Sequence, residues 1–442
     1  MSHARKKLAI LVGGGPAPGI NAVIGAATIR AVLSGFEVVG SADGFSHLMR
    51  GDISHVRSLT IEDVSRIHFR GGSFLGISRA NPTKREEELE ETIQSLLRLE
   101  VDKLVTIGGD DTCFSASQIE RKSEGRLRVV HVPKTIDNDL DLPNMADTFG
   151  FQTARHIGVE LTENLMVDAR TTHRWYFIVA MGRKAGHIAL GIGKAAGATI
   201  TLIPEEFPDD RPIRLRQVVD ILVGAIVKRL AAGRPDGVAI LAEGIVERME
   251  ESDLEHLRGV ERDAHGHIRI SEVPLGEILK DEVQKRLRPF DVKPTIVAKN
   301  IGYELRCADP IPYDMEYARD LGYCAAKYVI EGGNGAMVSL QNGVFVPMPF
   351  ASIMDLKTGR IRVRMVDIES DRYMIARRYM LRLRRDDFED EAEVAKFAKV
   401  LGVTRDRFRE ELEYLVQDDP RPRLFHEGGG GGTNSVRPPE VR

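Results

Sequence analysis

Short apolar runs alternate with amphipathic stretches along most of the 442 residues. The first run, KLAILV at 7–12, leads into the glycine-rich GGGPAPG. After it comes INAVIGAATIRAVLSG, whose apolar residues recur at helical spacing, and then FEVVGSA. This is a strand, glycine loop, helix, strand unit. The pattern returns at DKLVTI, GGDDT and CFSASQIERK, and at RVVHV and PKTIDND. It returns again at RWYFIVA and MGRKAG, and at GVAIL and AEG. Apolar β-rich runs separated by helices predict parallel sheets covered on both faces, an α/β fold. Two sheets are expected, one before about residue 150 and one from there to about 306, after which the chain returns to the first. AMVSLQNGVFVPM at 336–348 predicts a hairpin turning at Asn342-Gly343. Residues 371–417 read as helical and highly charged. The end, EGGGGGTNSVRPPEVR, has the composition of a disordered tail.

Each polar cluster in this pattern falls at the C-terminal end of a predicted strand. That is the edge where open parallel sheets bind ligands, so the clusters are expected to form one site. Composition narrows the chemistry. The length exceeds a single compact core. The net charge of −4 argues against nucleic acid or a membrane surface as partner. No apolar run reaches the 18 or so residues needed to cross a bilayer, and MSHARKKLAIL lacks the h-region of a signal peptide. The three cysteines, Cys113, Cys307 and Cys324, have no metal-like spacing and suggest reduced thiols in the cytoplasm. The twelve histidines show no HxxH or HExxH spacing, which argues against catalytic zinc.

The motifs themselves suggest phosphate chemistry. Consecutive glycines after a strand let backbone N–H groups approach an anion at a helix N-terminus, although a plain tight turn would use the same glycines. The loop is neither a Walker A sequence nor G-x-G-x-x-G. In GGDDT, one aspartate would suffice to cap the following helix. A second beside it suggests that Asp110 faces Mg²⁺, a hard cation that takes carboxylate and phosphate oxygens. In PKTIDND, Asp137 and Asp139 could serve only local turns, or one could be the general base for a substrate hydroxyl. Lys134 beside them would present a point charge to a phosphate. Arg79, Arg174, Arg183 and Arg306 could each be solvated surface residues, but guanidinium forks suit sugar phosphates. Glu243, after GVAIL, could accept hydrogen bonds from sugar hydroxyls or simply begin a helix. Pattern alone therefore reaches an α/β phosphoryl-transfer enzyme with Mg²⁺ and an aspartate base, its donor and acceptor open.

GGGPAPGINAVI, GGSFLGISR, GGDDT, PKTIDND, MGR, AEG and YELRCADPIPYD occur in that order. Together they resemble the phosphofructokinase family over roughly residues 7–385. The resemblance implies two similar Rossmann-like domains with the active site in the cleft between them, and a helical C-terminal extension. Residues 1–149 with 307–365 would bind the donor phosphate and Mg²⁺. Residues 150–306 would bind the sugar phosphate, 366–425 would be helical and 426–442 disordered. The implied reaction moves a phosphoryl group to the 1-hydroxyl of fructose 6-phosphate.

By motif position, Gly15 and Arg79 would lie at the donor phosphates, Asp110 would hold Mg²⁺, and Asp137 would be the base with Thr135 and Asp139 beside it. Arg183 would steady the transferring group. Met181, Gly182, Glu243, Tyr303 and Arg306 would form the sugar-phosphate pocket. Arg174 matches an arginine that reaches the 6-phosphate from a neighbouring subunit, implying a homodimer or homotetramer. Asp111 and Lys134 stand where the commonest bacterial ATP-dependent pattern has glycine, and Tyr303 where it has histidine. The first pair marks the pyrophosphate-dependent branch, though Lys134 also occurs in some ATP-dependent members. Asp111 would occupy the place of an ATP α-phosphate, and Lys134 would reach the leaving phosphate. The rivals are an ATP-dependent enzyme and a non-catalytic sugar-phosphate sensor. The sensor should have lost Asp110 or Asp137, and both are present.

Overall fold

The computed structural model describes residues 6–142, 146–255, 273–354 and 361–417. The strands are β1 (Lys7–Val12), β2 (Glu37–Ser41), β3 (Val56–Leu59), β4 (Lys103–Gly108), β5 (Arg128–Pro133), β6 (Trp175–Ala180), β7 (Ile200–Leu202), β8 (Gly237–Ala242), β9 (Ile296–Ile301), β10 (Ala336–Gln341) and β11 (Val344–Pro349). They form a seven-stranded sheet, β11-β10-β5-β4-β1-β2-β3, and a four-stranded sheet, β7-β8-β6-β9. The second sheet is wholly parallel. The first is parallel except at its two edges, where β3 and β11 run antiparallel.

Both sheets have buried centres. Every residue of β4, β6 and β8 is buried, as expected where helices cover both faces of a parallel sheet. Full burial of one such aliphatic side chain is worth about 1.5–3 kcal/mol. The predicted hairpin forms, with Asn342 and Gly343 both at positive φ. That is the geometry of a two-residue hairpin loop whose twist matches its strands.

The chain leaves the first sheet through the helix Phe151–Thr172 and comes back through the helix Pro312–Ile330. The returning helix lies against Ile20–Val32. A Cβ at Gly322 would come within 2.5 Å of the Val23 carbonyl oxygen, so glycine is what permits this approach. The two crossings are also tied together. Asp314, fully buried on the returning helix, accepts hydrogen bonds from the Gly150 N–H (2.9 Å), the Thr153 N–H (2.7 Å) and the Thr153 hydroxyl (2.6 Å). It thereby satisfies the free N–H groups that open the helix Phe151–Thr172.

The charged C-terminal segment folds as the helices Asp371–Tyr379, Arg385–Glu389, Glu391–Leu401 and Arg405–Leu412. They share one core with the second sheet, through residues such as Tyr373, Phe397 and Phe408. Their charges are used for docking. Lys228 pairs with Asp387 at 2.6 Å. Arg286 reaches both Glu411 at 2.6 Å and the fully buried Asp220 at 2.8 Å. The expected disordered tail, 426–442, lies outside the described residues. Among the described residues no helix is long and apolar enough to cross a membrane.

Candidate active site

The C-terminal ends of β1, β4 and β5 face those of β6, β8 and β9 across a cavity of about 510 Å³. A small-molecule site of ordinary size has this volume. On the first-sheet side the glycine loop packs on the start of the helix Asp110–Lys122. A Cβ at Gly13 or at Gly108 would sit 2.4 Å from Thr112 Oγ1, so the loop can lie this low only with glycine there. Gly15 lines the cavity, and its carbonyl accepts a hydrogen bond from Lys134 Nζ. Lys134 is only 4% exposed. Burial pushes its ammonium down to about 8, Asp137 opposes that shift, and Arg306 and Arg79 add to it.

The PKTIDND loop presents two carboxylates. Thr135 Oγ1 accepts from the Asp137 N–H (3.0 Å) and donates to Asp139 Oδ1 (3.2 Å). Asn138 takes a left-handed backbone, φ 56°, that lets its two neighbours face the same cavity. Asp137 Oδ1 is buried and has no hydrogen-bond partner among the described residues. Burial first, and then Asp139 and Glu243, raise the Asp137 carboxyl to about 7. Burial and the charge of Asp110 raise Asp139 as well.

Asp110 opens its helix and accepts the Asp111 N–H at 2.9 Å, leaving Oδ2 to Lys184 Nζ, 3.4 Å away. Asp111 and Arg79 are exposed at the cavity wall. The charge of Asp139 acts on Asp137 and that of Asp110 on Asp139, so the three carboxylates stand close together, and one of them has an unpartnered oxygen. Hard oxygen donors crowded in this way fit a divalent cation of the Mg²⁺ type.

The second-sheet side supplies cations and a carboxylate. Met181 continues β6, its N–H bonded to the Ile301 carbonyl at 3.0 Å. Gly182, at φ 140°, turns the chain and accepts the Gly244 N–H at 3.1 Å. A Cβ at Gly244 would lie 2.4 Å from the Arg183 carbonyl oxygen, which explains the glycine of AEG. Met181, Arg183, Glu243, Tyr303 and Arg306 line the cavity, and the Arg306 guanidinium lies 4.5 Å from the centre of the Tyr303 ring.

Of the residues singled out in the sequence, all but two line this cavity. Gly182 is the turn between two that do. Arg174 stands at the opposite end of β6, 3.8 Å from Asp168. Six residues of strand, about 20 Å, separate it from its own chain's cavity edge.

A family model described as Phosphofructokinase matches residues 7–329. The chain belongs to the phosphofructokinase family. It is 54% identical over 390 residues to a pyrophosphate–fructose 6-phosphate 1-phosphotransferase of Thermotoga maritima, covering 87% of this chain and 93% of that one. A protein of the same name from Naegleria fowleri is 46% identical over 418 residues, covering 93% of this chain and 96% of its own. The fold is also similar to a crystal structure of a pyrophosphate-dependent phosphofructokinase from Marinobacter aquaeolei. That match has a TM-score of 0.62 at 16% identity and covers 93% of this chain and 91% of that one.

Lys184, which lines the phosphofructokinase cleft, and Arg364, buried behind the Asp137–Asp139 turn, were not singled out in the sequence. Lys184 follows Arg183 directly, and its pairing with Asp110 across the cleft depends on the meeting of two sheets. Arg364 lies in the basic run RIRVR, where nothing separates it from solvated neighbours. Among the described residues one histidine cluster lies outside the cleft. His47 and His55 both approach Asp52, but their rings stack 3.7 Å apart with planes 4° from parallel. Their in-plane lone pairs therefore run side by side and do not converge on one ion.

Proposed function

We propose that the chain moves a phosphoryl group from pyrophosphate to the 1-hydroxyl of fructose 6-phosphate, giving fructose 1,6-bisphosphate and phosphate, reversibly. The observation that carries this reading is the 54% identity, across nearly the full length of both chains, to an enzyme of that name.

The cleft supports a mechanism. Asp137, its pKa raised toward neutrality, takes the proton of the 1-hydroxyl as that oxygen attacks phosphorus. The bond from that phosphorus to the bridging oxygen breaks, and the departing phosphate carries away the bond's electron pair. Lys134, buried and cationic at neutral pH, stabilises the charge growing on the departing group, aided by Arg183. Gly15 and Arg79 receive the donor phosphates. Thr135, Asp139, Met181, Gly182, Glu243, Tyr303 and Arg306 orient the sugar phosphate. Asp110 would hold Mg²⁺ with the donor oxygens, and the ion would neutralise phosphate charge there. Asp111 opposes the α-phosphate that ATP carries and pyrophosphate lacks.

The chain would act as a homo-oligomer: Arg174 lies too far from its own cavity to serve it, and would serve a neighbouring subunit's instead. All three cysteines are free, which supports the reducing cytoplasm as its compartment. One comparison tests the central reading: kcat/KM for fructose 6-phosphate with pyrophosphate and with ATP, each with Mg²⁺. Pyrophosphate should be preferred by several orders of magnitude, and a preference for ATP overturns the reading.

A further inference from the structure

The chain passes through the cleft once more after its second sheet is complete. Ile361 and Val363 line the cavity, and Val363 bridges to Leu140 in antiparallel fashion. Between Val363 and Val366 this segment touches the loops from both sheets. The Arg364 N–H donates to the Asp139 carbonyl at 2.8 Å. The Arg364 carbonyl accepts from His187 Nε2 at 3.0 Å, and His187 opens the helix that follows MGRKAG. Two residues on, the Val366 N–H donates to Glu205 Oε1 (3.0 Å), which also accepts the Gly186 N–H (2.9 Å).

The Arg364 side chain turns inward and is 7% exposed. Nη2 donates to Asn138 Oδ1 (2.6 Å) and to the Asn138 carbonyl (3.0 Å). Nε reaches the same carbonyl at 3.3 Å, and Nη1 the Ala146 carbonyl at 3.0 Å. Among the described residues its partners are all carbonyl or amide oxygens, with no carboxylate in contact. Burying a guanidinium in this way is costly for stability alone. The fork clamps the one residue, Asn138, whose left-handed backbone sets the directions of Asp137 and Asp139. Asn138 is held from its other sides too, by the Thr148 N–H on Oδ1 (3.0 Å) and by Asp147 on Nδ2 (2.8 Å).

We propose that Arg364 is a positioning residue for phosphoryl transfer. It fixes the Asp137–Asp139 turn through Asn138, and its backbone joins that turn to the loop that carries Arg183 across the cleft. The inference rests on the reading of Asp137 as base. A bidentate fork is what the geometry uses, so lysine, a point charge, is a poor substitute.

The test compares Arg364→Met and Arg364→Lys with the wild type in kcat, KM for both substrates and melting temperature. Misplacement of a reacting group by about 1 Å costs on the order of a hundredfold in rate. Arg364→Met should therefore lose 30- to 100-fold in kcat while KM for fructose 6-phosphate changes less than threefold. Arg364→Lys should recover only part of the loss. Asn138→Gly keeps a backbone that tolerates positive φ but removes the Oδ1 acceptor. It should lower kcat in the same direction, and in the double variant the two losses should combine to less than their product, because the Nη2–Oδ1 bond is shared between them. Wild-type kcat in a folded Arg364→Met protein, with only the melting temperature lowered, overturns the inference. If Arg364→Met does not fold, Arg364→Lys decides: kcat within twofold of wild type overturns the inference, and a large loss at little changed KM supports it. A wild type that uses ATP and ignores pyrophosphate would defeat the donor assignment instead, and the same kcat comparison would then be run with ATP.

Discussion

The two sides of the cleft are built differently. On the first-sheet side Lys134, Asp137 and Asp139 are sunk into the protein, while Arg79 and Asp111 stay exposed at the wall. Lys134 is almost fully buried, Asp137 and Asp139 are bonded into one turn, and their ionisation is displaced by burial. On the second-sheet side Arg183 and Lys184 are exposed at the end of β6, and Tyr303 is 73% exposed. The first wall holds its geometry before any substrate arrives, which is what charge stabilisation in a transition state requires. The second presents long cations that a phosphate can draw into place. Chemistry and recognition are thus divided between a stiff wall and an adaptable one. Substitutions of Lys134 and Asp137 on the stiff wall should act on kcat, those of Glu243, Tyr303 and Arg306 on the adaptable wall on KM, and those of Arg183, which also steadies the departing group, on both.

The largest effect is expected at Asp137. Asp137→Ser should lower kcat by about 10² to 10⁴, the usual contribution of a general base, with KM for fructose 6-phosphate within threefold of wild type. Steady-state kinetics checks this, and turnover near the wild-type value would remove Asp137 from the role. Next is Lys134. Lys134→Met should lower pyrophosphate turnover by about 10², as for other single electrostatic stabilisers. The wild-type pH profile sharpens the point. Asp137 works ionised, so kcat/KM should fall as pH drops through about 7. Lys134 works protonated, so the rate should also fall as pH rises through about 8. Lys134→Met should lose the alkaline limb and keep the acidic one.

A smaller effect is expected at Arg174. Its replacement by alanine removes a charge-assisted contact of about 1.5–3 kcal/mol, so KM for fructose 6-phosphate should rise roughly 10- to 100-fold at little change in kcat. Mixing this protein with the Asp137→Ser variant should restore some activity, because a hybrid site can take each intact residue from a different chain. An active monomer, measured by light scattering at assay concentration, would exclude the shared site. The smallest effect belongs to Asp111. Two like charges about 4 Å apart repel by about 4 kcal/mol at an effective dielectric near 20, but Asp111 is exposed and water screens it. Asp111→Gly should therefore raise kcat/KM for ATP about tenfold, with pyrophosphate still preferred. An unchanged ATP value would place donor exclusion elsewhere.

What the sequence disclosed follows from how each element is stabilised. β1, β4, β5, β6 and β8 are continuous apolar runs because both faces are covered, and they were visible as such. β9 was missed because its edge position leaves Lys299 and Asn300 exposed, which breaks the run. β3 and β7 were missed because one pairs antiparallel at an edge with two exposed residues and the other has only three residues. Site residues standing directly after strands were legible, since strand ends mark the binding edge. Lys184 and Arg364 were not. Each acts through a partner far off in sequence, Asp110 for one and Asn138 for the other, and no local pattern records such a meeting.

Asp314 bears on how the halves can move. Because its carboxylate holds the segment entering the second half against the segment leaving it, both crossings share one pivot. That buried carboxylate then acts as one pin for relative rotation of the halves, and the segment from Val363 to Val366, bonded to loops of both sheets, is a second tie between them. Displacement grows with distance from the pin, so the contact between Lys184 and Asp110, which spans the opening, should part before the pin does. Loosening the pin with Asp314→Asn should broaden the swing and leave every group in the cleft chemically intact. X-ray scattering should then show a larger radius of gyration without pyrophosphate than with it, and a smaller difference in the wild type.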